Sequence, residues 1–178
     1  MTNDITGKPL IAVSRCLLGE RVRYDGDVKS YPQLLDFIQQ NFSIICVCPE
    51  VEIGLGVPRP AVQLYGNINA IKICGRDDPS IDITDAMQKY CDNRPPQLNS
   101  IQGYIFKSKS PSCGIKDIPL FNLKGEITQT EISQTTKGVF ANAVLKHYPH
   151  LPITDEQSLQ SDAQYAQFLQ QVKHYRHK

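Results

Sequence analysis

Short apolar runs alternate with polar and turn-forming segments along the chain, and this pattern predicts strands and helices in alternation. Residues 8–15 form a short apolar run opened by Pro9, which favours a buried strand over a helix. Residues 31–41 place apolar side chains on one helical face, and Ser30 is positioned to cap that helix. Residues 43–49 predict a second buried strand. The first fifty residues therefore indicate a βαβ unit.

The rest of the chain continues the α/β pattern. Residues 61–65 and 70–74 flank a polar turn and predict a hairpin, and residues 101–106 predict a third apolar strand. Further helices are predicted at residues 81–92, 137–148 and 158–174. No internal repeat divides the sequence. We therefore expect one α/β domain over residues 1–178, with its core at about 8–148 and a C-terminal helix at about 158–174. Its sheet should be open, mainly parallel and Rossmann-like, with flanking helices.

Composition and charge narrow the class of protein. The 178 residues include 19 Lys and Arg against 18 Asp and Glu, a net charge of +1 that argues against an electrostatic nucleic-acid binder. A hydrophobic content of 40% is typical of a globular protein rather than a disordered one. No apolar run approaches the roughly 18 residues of a membrane span, and the N-terminus lacks a signal-peptide pattern. We expect a cytoplasmic protein without membrane contact.

The six cysteines divide into two groups. In a reducing cytoplasm they stay free thiols, either as small core residues or as ligands and reactive groups. Cys46 lies inside an apolar run, Cys74 closes a predicted strand, and Cys91 lies near a predicted helix end. These three are expected to fill the core. The others follow the predicted core strands: Cys16, Cys48 and Cys113.

The placement of this second group predicts a shared site. The carboxyl ends of parallel strands meet at one edge of a sheet, where ligands bind. Cys16 directly follows the first predicted strand, Cys48 ends the second, and Cys113 lies in the loop after the third. A glycine or a proline lies close after each of them, which lets a loop wrap a ligand closely. The three thiols are therefore expected to converge.

Three thiols admit three kinds of chemistry. A structural zinc site needs a fourth ligand, and the histidines all lie in the C-terminal helical region. A thiol-dependent transferase would use Cys113 as its nucleophile. A [4Fe–4S] cluster held by three thiolates would leave one iron open to a sulfur-bearing substrate. The residue pattern alone leaves these alternatives open.

Polar residues near the three thiols are further candidates for the site. Glu50 follows Cys48 by two positions and is a candidate for proton transfer. Residues 107–114 gather three hydroxyls and two ammonium groups beside Cys113. Candidates for binding polar substrate atoms are Arg23, Tyr24, Asp25, Arg59, Lys107 and Ser110.

Several motifs resemble those of the thiouracil desulfidase family. They occur in the family's order between about residues 8 and 143: CLLG at 16–19, VRYDG at 22–26, CPEV at 48–51, GLGVPRP at 54–60 and KSKSPSCG at 107–114. The resemblance implies that Cys16, Cys48 and Cys113 bind a [4Fe–4S] cluster with one open iron. It also implies Glu50 as the catalytic acid/base and a catalytic serine in residues 107–114. We assign this serine to Ser108, with Ser110 as the alternative.

The implied reaction is a non-redox desulfuration of a thiolated pyrimidine. The thiocarbonyl sulfur binds the open iron, Glu50 takes a proton from water, and the hydroxide attacks the carbon. Hydrogen sulfide leaves and an oxo-pyrimidine remains. A small thiopyrimidine base or nucleotide is expected as substrate, with thiolated tRNA less favoured by the near-neutral charge. A zinc-binding structural or interaction module and a thiol-dependent transferase remain the alternatives.

Overall fold

The computed structural model describes residues 7–122 and 132–176 of the chain. Within these residues the helices and strands are β1 (Leu10–Ser14), α1 (Pro32–Asn41), β2 (Ser43–Val47), α2 (Pro49–Glu52), β3 (Val62–Asn67), β4 (Ala70–Gly75), α3 (Thr84–Asn93), β5 (Gly103–Phe106), β6 (Ile118–Phe121), β7 (Ile132–Thr136), α4 (Val139–His147), β8 (Ile153–Asp155) and α5 (Asp162–His174). None of the described helices is long and apolar enough to cross a bilayer.

A parallel four-stranded sheet organises the molecule. Its strand order is β2-β1-β5-β8, and every neighbouring pair is parallel. The chain leaves β1 toward β2 on one side and later returns to β5 on the other. The carboxyl end of β1 is therefore the point where the direction of winding changes, which is where open α/β sheets bind ligands. The predicted mainly parallel α/β fold is confirmed.

Both faces of this sheet are buried. Alternate side chains of each strand point to opposite faces, and each face packs against other elements. Ile11 and Val13 of β1 pack with residues of α1 and α5 in one apolar cluster. Ala12 lies on the opposite face, in a second cluster with Met87 of α3 and Phe140 of α4. Burial of a large apolar side chain contributes about 1.5–3 kcal/mol, so these two layers hold the strand ends in register.

A second four-stranded sheet was not predicted. The expected hairpin forms as β3 and β4, but it joins β6 and β7 in the order β4-β3-β6-β7 rather than extending the parallel sheet. Strand β6 has four residues, including Pro119, and was too short and interrupted to give a periodic signal.

Three local predictions are wrong. Strand β2 is not a buried strand but an edge strand, which among the described strands pairs with β1 alone, and its Cys46 is exposed rather than packed in the core. The α1 helix has Tyr31 at its N-cap and no side-chain cap bond, so Ser30 does not cap it. Pro32 takes the first helical position, where its missing N–H costs nothing. The predicted burial of Cys74 and Cys91 is confirmed.

Candidate active site

A cavity of about 460 Å³ opens at the carboxyl ends of the parallel strands. Cys16, Cys48 and Cys113 all line it, and so do the carboxylates of Glu50 and Glu156. Two other cavities of the described residues, of about 580 and 680 Å³, contain at most one cysteine each. Both are larger than the strand-end cavity, so volume alone would favour them as the ligand site. The combination of three thiols with two carboxylates favours the strand-end cavity.

The three thiols come from the ends of three adjacent strands. Cys16 lies in the 3₁₀ turn Arg15–Leu18 that follows β1. Cys48 is the N-cap residue of α2, directly after β2, and Cys113 lies in the turn after β5. The structure thus brings together side chains that lie up to almost a hundred residues apart in sequence.

Burial keeps these thiols protonated in the free protein. It raises the pKa of Cys16 to about 11, with the neighbouring Cys48 adding to the effect. Burial also raises the pKa of Cys113 far above its usual range, helped by Cys16 and Cys48, while a hydrogen bond with Ser14 acts in the opposite direction. Each of these thiols thus lies close enough to another for its charge to influence the pKa of its neighbour. They become thiolates only if a strong positive centre replaces their protons.

The arrangement does not suit a single metal ion. Among residues 7–122 and 132–176, no three His, Cys, Asp or Glu side chains converge closely enough to hold one ion. The three thiols instead surround a cavity. An iron–sulfur cluster takes one thiolate at each ligated iron, so its ligands stand further apart than those of one ion. Three thiols that line one cavity are a donor set that a cluster can use.

Thiol reactivity offers a first test. In iron-free protein at pH 8 we expect iodoacetamide to modify Cys46 first, because Cys46 is exposed. With a pKa of about 11, Cys16 is a thiolate in only about one molecule in a thousand at pH 8, so its alkylation rate should rise about tenfold per pH unit up to that pKa. Peptide mapping by mass spectrometry measures both rates. Equal labelling of Cys16 and Cys46 at pH 8 would contradict this account.

The turn that carries Cys113 is fixed from two sides. The Ser110 hydroxyl accepts hydrogen bonds from the backbone N–H groups of Ser112, at 3.2 Å, and Cys113, at 3.0 Å. From behind, Phe140 of α4 donates its N–H to the carbonyl of Ser112 at 3.0 Å. Gly138 precedes α4 and lies so close that an added Cβ would be 2.6 Å from the Ser112 carbonyl and 2.8 Å from the Cys113 nitrogen. A side chain at this position is therefore excluded.

Glu50 is held at one end of the cavity by two partners. It lies in the first turn of α2, and its Oε2 forms an ion pair with Arg59 Nη2 at 2.8 Å. The Ser112 hydroxyl donates to its Oε1 at 2.9 Å. Arg59 also donates to the carbonyl of Val22 at 3.0 Å, which ties the loop after β1 to the same pair. Ser112 is completely buried and does not line the cavity, so it orients Glu50 from behind.

Glu156, which sequence reasoning missed, lies at the other end of the cavity. It directly follows β8 and accepts three hydrogen bonds: from Lys107 Nζ at 2.5 Å, from Ser108 Oγ at 2.5 Å and from the Ser108 N–H at 2.8 Å. Burial acts to raise the pKa of Glu156, but the hydrogen bonds from Lys107 and Ser108 outweigh it and hold the pKa below its usual range. Glu156 is therefore a carboxylate at neutral pH.

The remaining predicted residues, Arg23, Tyr24 and Asp25, lie in the loop between β1 and α1, beside the cavity. Arg23 and Tyr24 line it, and the Arg23 guanidinium lies 5.7 Å from the centre of the Tyr24 ring. Asp25 is hydrogen-bonded to Arg23 and is not part of the lining. His147, His150 and His174 do not line the cavity, and His177 lies outside the described residues.

Basic side chains outnumber acidic ones in the cavity wall. The two lining carboxylates are Glu50 and Glu156. The lining cations are Arg15, Arg23, Lys29, Arg59, Arg76, Lys107 and Lys109. Lys29 and Lys109 form no ion pair within the described part of the chain. The cavity therefore favours an anionic ligand.

Comparison with known proteins decides the family. Residues 11–156 match the sequence profile of 2-thiouracil desulfurase. The chain belongs to the 2-thiouracil desulfurase family. It is also similar to the solved structure of a [4Fe-4S]-dependent thiouracil desulfidase, TudS, with a TM-score of 0.67 and 25% sequence identity over 92% of this chain and 99% of that chain. No match was found among curated proteins.

The matched segment of the 2-thiouracil desulfurase family includes all the cavity residues named above, and the lining residue Gln157 lies one position beyond it. It begins in β1, ahead of Cys16, and it ends at Glu156. The family resemblance inferred from the five motifs is thereby confirmed. The desulfurase match also extends past those motifs, through α4 and β8, to the carboxylate that the motifs did not contain.

Proposed function

We propose that this chain is a [4Fe–4S]-dependent desulfidase that converts a thiolated pyrimidine to its oxo form and releases hydrogen sulfide. Family membership and the likeness to TudS support the class of reaction. The observation that carries the proposal for this chain is the cavity at the ends of β2, β1 and β5, which is lined by three thiols.

Cys16, Cys48 and Cys113 would hold the cluster. Within the described residues, no fourth cysteine and no histidine lines the cavity, so the donor set would leave one iron without a protein ligand. When bound, such a cluster supplies a thiophilic Lewis acid to the substrate sulfur. The protein contributes the rest: it binds the pyrimidine, orients it and moves protons.

Glu50 would accept a proton from the attacking water. Both of its oxygens are fixed, Oε2 by Arg59 and Oε1 by Ser112, so the carboxylate is presented to the cavity in one orientation. After the attack the same carboxyl group can return the proton to the departing sulfur.

Ser108 is the proposed catalytic serine, and Ser110 is the alternative. The Ser108 hydroxyl lies in the cavity wall, donates its hydrogen to Glu156 and accepts one from Lys107 Nζ at 3.2 Å. One lone pair remains, which suits an N–H group of the pyrimidine ring. Ser108 would thereby orient the reacting carbon relative to Glu50. The Ser110 hydroxyl already accepts two backbone bonds in the Cys113 turn.

Two observations disfavour the alternatives. The described residues provide no group of ligands for a single metal ion, as a zinc module would need. A nucleophilic cysteine needs a lowered pKa, whereas burial raises the pKa of Cys113 far above its usual range. The zinc module therefore lacks its set of ligands, and the transferase lacks its activated thiol.

We propose a small thiopyrimidine as the substrate, and the excess of cations favours a nucleotide over a free base. A phosphate group would meet Lys29 and Lys109, which are not neutralised by any described carboxylate. Both lysines are exposed, where an ion pair contributes up to about 1 kcal/mol, so one such contact should raise kcat/KM by up to about fivefold.

A substrate panel tests the proposal. Enzyme with a reconstituted cluster is incubated with 2- and 4-thiouracil, the corresponding thiouridines, their 5′-monophosphates and thiolated tRNA, and sulfide release is measured. We expect sulfide from the small molecules, with the highest kcat/KM for a monophosphate. If the cluster-loaded enzyme releases no sulfide from any of them, the proposed function is wrong. A preference for thiolated tRNA would overturn the assignment of the substrate alone.

A further inference from the structure

We infer that Glu156 is a positioning residue of the desulfidase, which fixes the Ser108 hydroxyl and the Lys107 ammonium group in the cavity wall. This inference rests on the proposed function. It concerns a carboxylate that lies outside the five motifs and follows a strand, β8, that carries no other proposed residue.

The local structure holds Glu156 rigidly. Its side chain is only 5% exposed, and it leaves the chain directly after β8, next to β5 in the parallel sheet. The turn that follows is closed by the Ser158 N–H, which donates to Asp155 Oδ1 at 2.8 Å. Gln160 Nε2 donates to the carbonyl of Glu156 at 2.7 Å. The backbone of Glu156 is therefore held in place, and its carboxylate can hold other groups in turn.

The hydrogen bonds of Glu156 hold two neighbouring groups of the cavity wall. Oε1 accepts from both Lys107 Nζ and Ser108 Oγ, and Oε2 accepts from the Ser108 N–H. Its negative charge is matched by the Lys107 ammonium. Because Lys107 and Ser108 both line the cavity, Glu156 sets the direction in which these two groups face a ligand.

The effect on Ser108 is directional. A hydroxyl has one hydrogen, and in Ser108 that hydrogen points to Glu156. The oxygen must then face the cavity as an acceptor. Without the carboxylate the hydroxyl rotates freely, and Lys107 loses the partner that holds its ammonium group. Both changes would misplace the substrate relative to Glu50, and a displacement of about 1 Å can cost about 100-fold in rate.

The two lining carboxylates thus have different tasks. Glu50 lies beyond the end of β2, two residues after Cys48, whereas Glu156 lies beyond the end of β8. These are the two outer strands of the sheet, so the carboxylates bracket the thiols from opposite sides. Glu50 acts on the water, and Glu156 holds the opposite wall in place.

A double-mutant cycle tests the inference. Glu156→Gln, Ser108→Ala and the double variant are compared with wild type for kcat, KM, iron content and visible absorption. We expect Glu156→Gln to lower kcat by about 10- to 100-fold, with KM within about threefold and with unchanged iron content. In the Ser108→Ala background the same substitution should lower kcat by clearly less than in wild type, because the route through the Ser108 hydroxyl is gone and only the route through Lys107 remains.

Controls keep the outcomes distinct. Glu20→Gln removes another carboxylate that pairs with an arginine, 39% exposed and outside the cavity lining, and should retain wild-type kcat. Glu156→Asp repeats the test with the charge kept, in case Glu156→Gln does not fold. Unchanged kcat in both variants, loss of iron together with kcat, or multiplicative effects with Ser108→Ala would overturn the inference. If wild type itself releases no sulfide, the proposed function fails instead, before any variant is compared.

Discussion

Cys113→Ala is expected to lose the iron–sulfur cluster and the desulfidase activity together. Cys113 is 6% exposed, lines the cavity and lies in a turn held by Ser110 and by the first residues of α4. With one of three thiolates missing, two remain for four irons, and the cluster is no longer anchored. Iron, acid-labile sulfide and visible absorption after anaerobic reconstitution measure the loss, and sulfide release measures the activity. Cys16→Ala and Cys48→Ala should give the same result.

The chain supplies two matched controls for this experiment. Cys91 is 7% exposed, almost as buried as Cys113, but it lies on α3 and does not line the strand-end cavity. Cys91→Ala therefore reports the effect of removing a buried thiol as such. Cys46 is exposed and only two residues from Cys48. Both control variants should retain iron and activity, and normal turnover by Cys113→Ala would refute the assignment of ligands.

Glu50→Gln is expected to keep the cluster while lowering kcat by about 10²–10⁴-fold, the usual contribution of general acid–base catalysis. The amide oxygen can still accept a hydrogen bond from Ser112 or Arg59, so the geometry of the wall is largely preserved. What is lost is the group that takes a proton from water. Steady-state sulfide release gives kcat, and the iron content and absorption spectrum verify the cluster.

Glu20→Gln serves here as the matched surface control. A decrease of less than about tenfold in Glu50→Gln, with the cluster intact, would show that another group activates the water. A loss of cluster in Glu50→Gln would instead assign Glu50 a structural role beside Cys48. The two results separate catalysis from cluster assembly.

The strands that carry the three thiols were predictable because each is an apolar run of the right length next to a turn-forming residue. Strand β8 was not, since its three residues follow Pro152 and give no periodic signal. Glu156 was missed together with it. The bond between Ser112 and Glu50 joins residues 62 positions apart, and no local pattern reports such a contact.

The error at Cys46 has a different origin. An apolar run indicates a strand but not its place in the sheet, and β2 lies at an edge. The burial of its side chains depends on whether another strand or a helix covers that edge, which is decided by distant parts of the chain. By contrast, Cys16, Cys48 and Cys113 could be grouped in advance, because strands in a parallel sheet all end at the same side.

The close approach of Gly138 to the cysteine turn means that sensitivity to mutation is not confined to residues that meet the substrate. A single methyl group there would push the Ser112–Cys113 peptide forward and shift a thiol and the anchor of Glu50 at once. An inactivating lesion at Gly138 would mimic the loss of a ligand, although the glycine contributes no functional group. A screen for inactive variants of such an enzyme should therefore include the layer of residues behind its catalytic surface.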